Sequence, residues 1–293
     1  MRKASAALAR TRCAASGVAA VVALSGVVAL SACSLHGQSV DDPPRAAAAA
    51  CPHGAPGAQS GALTPGSSVL NPVNGRLEAV VPDISRTALL IGDSQSEPAA
   101  GWPRLGLAAA GYKVYFCGRG GTGFVASNGA TGNYVDAMMR GDWLLPSGTP
   151  ALIVIQGGGN DATSGASDDR ITANAERLIG ELQDRYPGTR LAMIGTLARG
   201  KGTGGGRRSE VDALLGSVAA DHGLPFVSVG DWLTRYGLVE DLADTVHMKP
   251  VGRQKLGWLL EGRLRDLGLD RKPTADQPPL LASDTGNAGL GQD

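Results

Sequence analysis

Five short apolar runs recur along the middle of the chain: "TALLI" (87–91), "YKVYF" (112–116), "ALIVIQ" (151–156), "RLAMIG" (190–195) and "PFVSV" (225–229). They are nearly continuous rather than alternating, the pattern of strands covered on both faces. Between and after them the period changes to that of a helix. In "DDRITANAERLIGELQDRYPG", Ile171, Ala175, Leu178, Ile179 and Leu182 share one face, with Asp at the start and Pro-Gly at the end. "RRSEVDALLGSVAADHG" (207–223) and "PVGRQKLGWLLEGRLRDLG" (250–268) repeat the pattern, each stopping at Gly. Strands alternating with helices predict an α/β fold: a three-layer α/β/α sandwich on a five-stranded parallel sheet. Ligands of such sheets bind outside the carboxyl ends of the strands. Three polar or glycine-rich segments start at such ends: "GDSQS" from Gly92, "CGRGGTGF" from Cys117 and "GGGND" from Gly157.

The two ends have a different texture. Arg2, Lys3, Arg10 and Arg12 precede an apolar run from about Ala14 to Leu30, the layout of an export signal. The run closes on Leu30-Ser31-Ala32-Cys33, which resembles a bacterial lipobox; on that resemblance Cys33 becomes an acylated N-terminus. An ordinary cleaved signal and an uncleaved anchor helix are the alternatives. Residues 34–68 are rich in Ala, Pro, Gly and Ser and read as a tether, and 271–293 as a disordered tail. That leaves 69–270 as one domain.

With 27 basic and 27 acidic residues, and a mildly acidic remainder once the leader's charges are removed, the chain lacks the basic face that nucleic-acid binding needs. No His, Cys and carboxylate cluster has metal-ligand spacing, so neither metal nor other cofactor is expected, and a monomer is. Cys51 and Cys117 survive removal of the leader, and an exported compartment is oxidising, so a Cys51–Cys117 disulfide is expected, with two free thiols as the alternative. "GTLARGKG" (195–202) has phosphate-loop spacing but no Ser or Thr after Lys201 to hold Mg²⁺, so phosphate binding is not expected there; the following "TGGGRR" (203–208) reads as a mobile loop bordering the site.

The chemistry-bearing residues are few. Of four histidines, His36 and His53 lie in the tether and His222 sits at a helix end, which leaves His247 as the candidate base. Asp244, three residues earlier, can fold back onto its Nδ1 and leave Nε2 free for a serine. Gly92-Asp93-Ser94 places a hydroxyl at a strand's carboxyl end, as a helix cap or as a nucleophile. The pair Asp244 and His247 could equally be a solvated turn capping the helix from Pro250, and Gly-Asn-Asp an ordinary turn.

Taken together, Gly92-Asp93-Ser94, Gly121, Gly158-Gly159-Asn160-Asp161 and Asp244-Thr245-Val246-His247 resemble the four blocks of the SGNH (GDSL-type) hydrolases, in that family's order. The resemblance spans about Thr87 to Gly268 and implies a flavodoxin-like fold. It makes Ser94 the nucleophile, His247 the base and Asp244 its orienter. Backbone N–H of Ser94 and Gly121 and the amide of Asn160 become the oxyanion hole, each donor worth roughly 3–4 kcal/mol. Gly118, Gly120 and Gly123 crowd Gly121 and leave its register open. Asp93 is expected to face away and hold the turn. Gln95 stands where the motif's name has leucine, making the pocket wall more polar, and "HMKPVG" departs from the usual His-Pro.

The expectation is an exported serine esterase, lipid-anchored to the outer face of a bacterial cell membrane. Its substrate is an O-acyl ester of an envelope glycan or a lipid ester. The alternatives are an acyltransferase to envelope sugars and a non-catalytic binding lipoprotein. A base that must be neutral predicts loss of activity as pH falls through the imidazole range, about 6.5 for a free side chain.

Overall fold

A computed structural model describes residues 64–271. Cys33, Cys51, the tether and the tail beyond Arg271 therefore lie outside the described residues. A short antiparallel hairpin, β1 (Ser68–Leu70) and β2 (Leu77–Ala79), comes first. Ala79 stitches it to the stretch around Leu145–Ser147, and the buried Glu78 pairs with Arg185.

The main sheet has five parallel strands: β3 (Thr87–Gly92), β4 (Lys113–Gly118), β5 (Leu152–Gln156), β6 (Leu191–Ile194) and β7 (Phe226–Val227). Their order is β4-β3-β5-β6-β7. The chain leaves β3 to one side for β4 and returns to the other for β5, so the crevice between diverging connections opens at the end of β3.

Side chains alternate across the sheet. Leu89, Ile91, Ile153, Ile155 and Met193 pack under α2 (Tyr134–Arg140), α4 (Asp168–Arg185) and α5 (Gly206–Asp221), with the short α3 (Gly159–Ser164) preceding α4. Ala88, Leu90, Leu152, Val154 and Ile194 pack under α1 (Trp102–Ala109) and α7 (Pro250–Asp266), with the short α6 (Trp232–Arg235) following β7. Both faces are dry, which is why the strands read as unbroken apolar runs. Each fully buried Leu or Ile contributes about 1.5–3 kcal/mol.

One expectation changes. The last strand is two residues long instead of five, because the carboxylate of Asp212 takes the Val229 N–H at 3.1 Å and the Ser228 hydroxyl at 2.6 Å. Cys117 is a free thiol among the described residues, and Cys51, its partner in the expected Cys51–Cys117 bridge, lies outside them. Cys117 lies in the core at 1% exposure with its Sγ 3.3 Å from the Leu144 carbonyl oxygen, and burial pushes its pKa up. A thiol so enclosed cannot meet a partner without opening the layer above it.

The helices α1 and α7 lie in intimate contact. A Cβ at Gly106 would sit 2.6–2.7 Å from three Leu260 side-chain atoms, and one at Gly257 2.8 Å from the Leu105 Cβ. Only glycine permits this approach. Replacing Gly106 with Ala is expected to lower the unfolding free energy by about 1–3 kcal/mol. Gly262→Ala, on α7 with nothing within 4 Å, should leave stability unchanged or raise it. Denaturant unfolding of the two variants checks the difference.

Candidate active site

The site is assembled from four chain segments at one rim of the sheet. Past β3, the Asp93 carbonyl accepts from Ser96 N and Glu97 N at 3.0 and 2.9 Å, closing one helical turn. The Asp93 side chain faces inward as expected and takes the Gln95 N–H at 2.9 Å. Burial raises its pKa. The Gln156 amide, with its nitrogen turned toward Ser96 Oγ and Asp93 Oδ1, braces the turn from β5. Ser94 caps no regular helix; α1 starts only at Trp102, with Gly101 as its cap.

Ser94 Oγ instead lies 2.9 Å from His247 Nε2, and His247 Nδ1 lies 2.8 Å from Asp244 Oδ2. Asp244 accepts N–H only, so Nδ1 carries the proton and Nε2 presents its lone pair to the serine. The other Asp244 oxygen takes the His247 and Val246 N–H groups at 2.7 and 2.8 Å. Those two bonds, with the imidazole contact, hold the carboxyl well below the ordinary carboxylate range. Ala243 N to His247 O at 2.7 Å and Lys249 N to Asp241 O at 2.8 Å pinch the neck of this loop just before α7.

The second block is held open from below. Asp161, fully buried, accepts the N–H groups of Phe124, Val125 and Ala126 at 2.7–3.0 Å. Asn160 Nδ2 donates to the Thr122 carbonyl at 2.9 Å, which uses one of its two amide hydrogens. Gly121 has φ 81°, in the left-handed region that favours glycine. The register among the glycines resolves as follows. Gly120 N is committed to Glu97 Oε2 at 2.9 Å, whereas Gly121 N and Ser94 N have no acceptor among the described residues.

Two hollows flank Ser94. One of about 40 Å³ is lined by Gly159, Asn160, Arg208 and Val246, the other of about 230 Å³ by Glu97, Pro98, Trp102, Met248 and Arg253. The glycine loop expected at the mouth borders a different cleft, about 890 Å³, between α5 and α7 with Trp232 and Tyr236. It touches neither Ser94 nor His247. His222 ends α5 as its C-cap.

Against known proteins, residues 90–255 match the GDSL-like lipase/acylhydrolase family, a span that contains all four blocks. The chain belongs to that family. This acylhydrolase is an ester hydrolase of the SGNH type. No curated protein matches it. Among solved structures, it is similar to a family two carbohydrate esterase from Clostridium thermocellum (19% identity, TM-score 0.46, 67% of this chain and 68% of that one). It is also similar to a lipase/acylhydrolase from Enterococcus faecalis (21%, 0.48, 62% and 96%) and a carbohydrate acetylesterase from Sinorhizobium meliloti (16%, 0.47, 62% and 99%).

Sequence reasoning assigned Asp161 no role, although an Asp at the start of a short helix after a strand is a usual place for a loop-holding carboxylate. Asp161→Ala is expected to cost about 2–4 kcal/mol, since three N–H groups, that of Phe124 fully buried, lose a charged acceptor. Unfolding curves of the variant measure it.

Proposed function

We propose that this acylhydrolase cleaves short O-acyl esters of cell-envelope glycans, with Ser94 as nucleophile, His247 as base and Asp244 as orienter. The observation that carries the reading is the unbroken chain of 2.8 and 2.9 Å contacts from Asp244 through the imidazole to the serine hydroxyl. Ser94 Oγ attacks the acyl carbon while Nε2 takes its proton. Negative charge then gathers on the former carbonyl oxygen, facing Ser94 N–H, Gly121 N–H and the spare hydrogen of Asn160. The imidazolium returns its proton to the departing alkoxide, leaving an acyl-enzyme. Water, deprotonated by Nε2, attacks the same carbon, and collapse frees the carboxylate product and restores the serine.

The hollows support the choice of substrate. At about 40 and 230 Å³, both fall short of the roughly 300 Å³ or more of pockets that engulf a drug-sized ligand. The smaller takes a short acyl group, and the larger, edged by Glu97 and Arg253, takes part of a polar alcohol. An ester protruding from a polymer fits such a shallow site; a long acyl chain does not. Export and anchoring through Cys33 would set the enzyme among such polymers.

In the full chain, Ser94→Ala is expected to abolish fluorophosphonate labelling and to lower turnover of nitrophenyl acetate by about 10⁴-fold or more, with an unchanged circular dichroism spectrum. The intact enzyme should prefer the acetate over the octanoate by at least about tenfold in kcat/KM. Labelling that survives in the variant places the nucleophile elsewhere, and equal use of the octanoate removes the short-acyl reading.

The depressed pKa of Asp244 fixes the shape of the pH profile. A lowered carboxyl is ionised above its own pKa and protonates only in strong acid, so it contributes no proton in the range where an imidazole titrates. The acid limb of log kcat/KM should therefore rise with slope one. A slope of two would mean that a second group must also lose a proton.

A further inference from the structure

We propose that Gln95 is a positioning residue that fixes His247 opposite Ser94, an inference that rests on the reading of these two as base and nucleophile. Gln95 follows the serine directly and is buried at 8% exposure. Its Nε2 donates to the carbonyl of Val246, the residue before His247, at 2.9 Å. Its Oε1 accepts from the Trp102 indole at 3.1 Å. An indole N–H can only donate, so Trp102 dictates which end of the amide faces the carbonyl. Trp102 itself is immobilised in the core at 1% exposure, against Trp232. A rigid anchor thus reaches through one side chain to a loop that otherwise stands in solvent, with the side chains of Asp244 and His247 54% and 39% exposed.

The remaining bonds of that loop are local. Besides the Ser94–His247 contact, Gln95 Nε2 to Val246 O is the one hydrogen bond among the described residues that joins the turn at 93–97 to the loop at 243–248. Both polar ends of the amide are therefore occupied. The side chain expected to make the pocket wall polar spends its polarity on geometry instead. Leucine at this position would fill the space but could not hold the carbonyl. Glutamate would be worse, because a carboxylate oxygen would then face the Val246 oxygen.

The test uses the full chain with nitrophenyl acetate. Gln95→Leu is expected to lower kcat by about ten- to a hundredfold, the effect of a misplacement near 1 Å, with KM changed less than about twofold and melting nearly unchanged. Gln95→Glu should not rescue. Trp102→Phe, which leaves Gln95 in place but frees its amide, should give a smaller kcat loss of the same kind, and none beyond that of Gln95→Leu in the double variant.

The deciding arm is the His247→Ala background, where residual turnover depends on the oxyanion donors alone. There Gln95→Leu should have no further effect, since it acts through the imidazole. An equal fold-loss in that background would make Gln95 a support of the serine turn and overturn the proposal. So would wild-type kcat in Gln95→Leu, or an unfolded Gln95→Leu together with unimpaired Trp102→Phe. Full activity of His247→Ala would instead overturn the assignment of the base, and the proposal with it.

Discussion

The close crossing of α1 and α7 is the contact on which the site depends. The Ser94 turn runs into α1, and the His247 loop runs directly into α7, so the separation of Ser94 from His247 is set by how those helices pack. Gly106 lets Leu260 descend onto the α1 backbone, and Gly257 gives Leu105 the same access. Because packed interiors have few voids and little compressibility, the crossing behaves as a fixed hinge pin. Two residues 153 positions apart meet at hydrogen-bond distance because the helices that follow them cannot slide.

Above that clasp, carboxylates do most of the positioning. Asp93 ties the serine turn, Asp161 gathers three N–H groups of the glycine-rich block, and Asp212 ends β7. Each is buried and receives N–H or O–H donors, which offsets the cost of removing a carboxylate from water. Asp244 is the exception. It stays in solvent, where backbone donors and the imidazole keep it ionised. The three enclosed carboxylates shape backbone, whereas Asp244 is held ionised by its own loop's N–H groups and the imidazole without being enclosed.

Much of the sheet was legible because its cause is local. A strand dry on both faces has to be apolar throughout, so "TALLI" and "ALIVIQ" announce β3 and β5. The long amphipathic helices α4, α5 and α7 carry their own start and stop signals. The helices α1 and α2 were not read. "WPRLGLAA" is only eight residues long, has Gly106 in its interior and no side-chain cap at its start, and the sheet and α7 that it packs against are remote in sequence. The short β7 was overread because its termination comes from Asp212, on a distant helix. The burial of Cys117 has the same origin: its side-chain direction is a property of the sheet, not of its neighbours in sequence.

The linear chain by itself determined which residues could do chemistry: one histidine outside the tether and the helix end, one hydroxyl at a strand's carboxyl terminus, one aspartate within reach of the imidazole. It also determined the alternation that requires a parallel sheet. Only the tertiary structure decided which glycine N–H is free, that the Gln95 amide meets the Val246 carbonyl, and that the glycine loop after β6 borders a separate cleft. Residue identity and short-range spacing establish what a group can donate, accept or bury. The direction in which it does so is set by contacts between segments that the sequence keeps far apart.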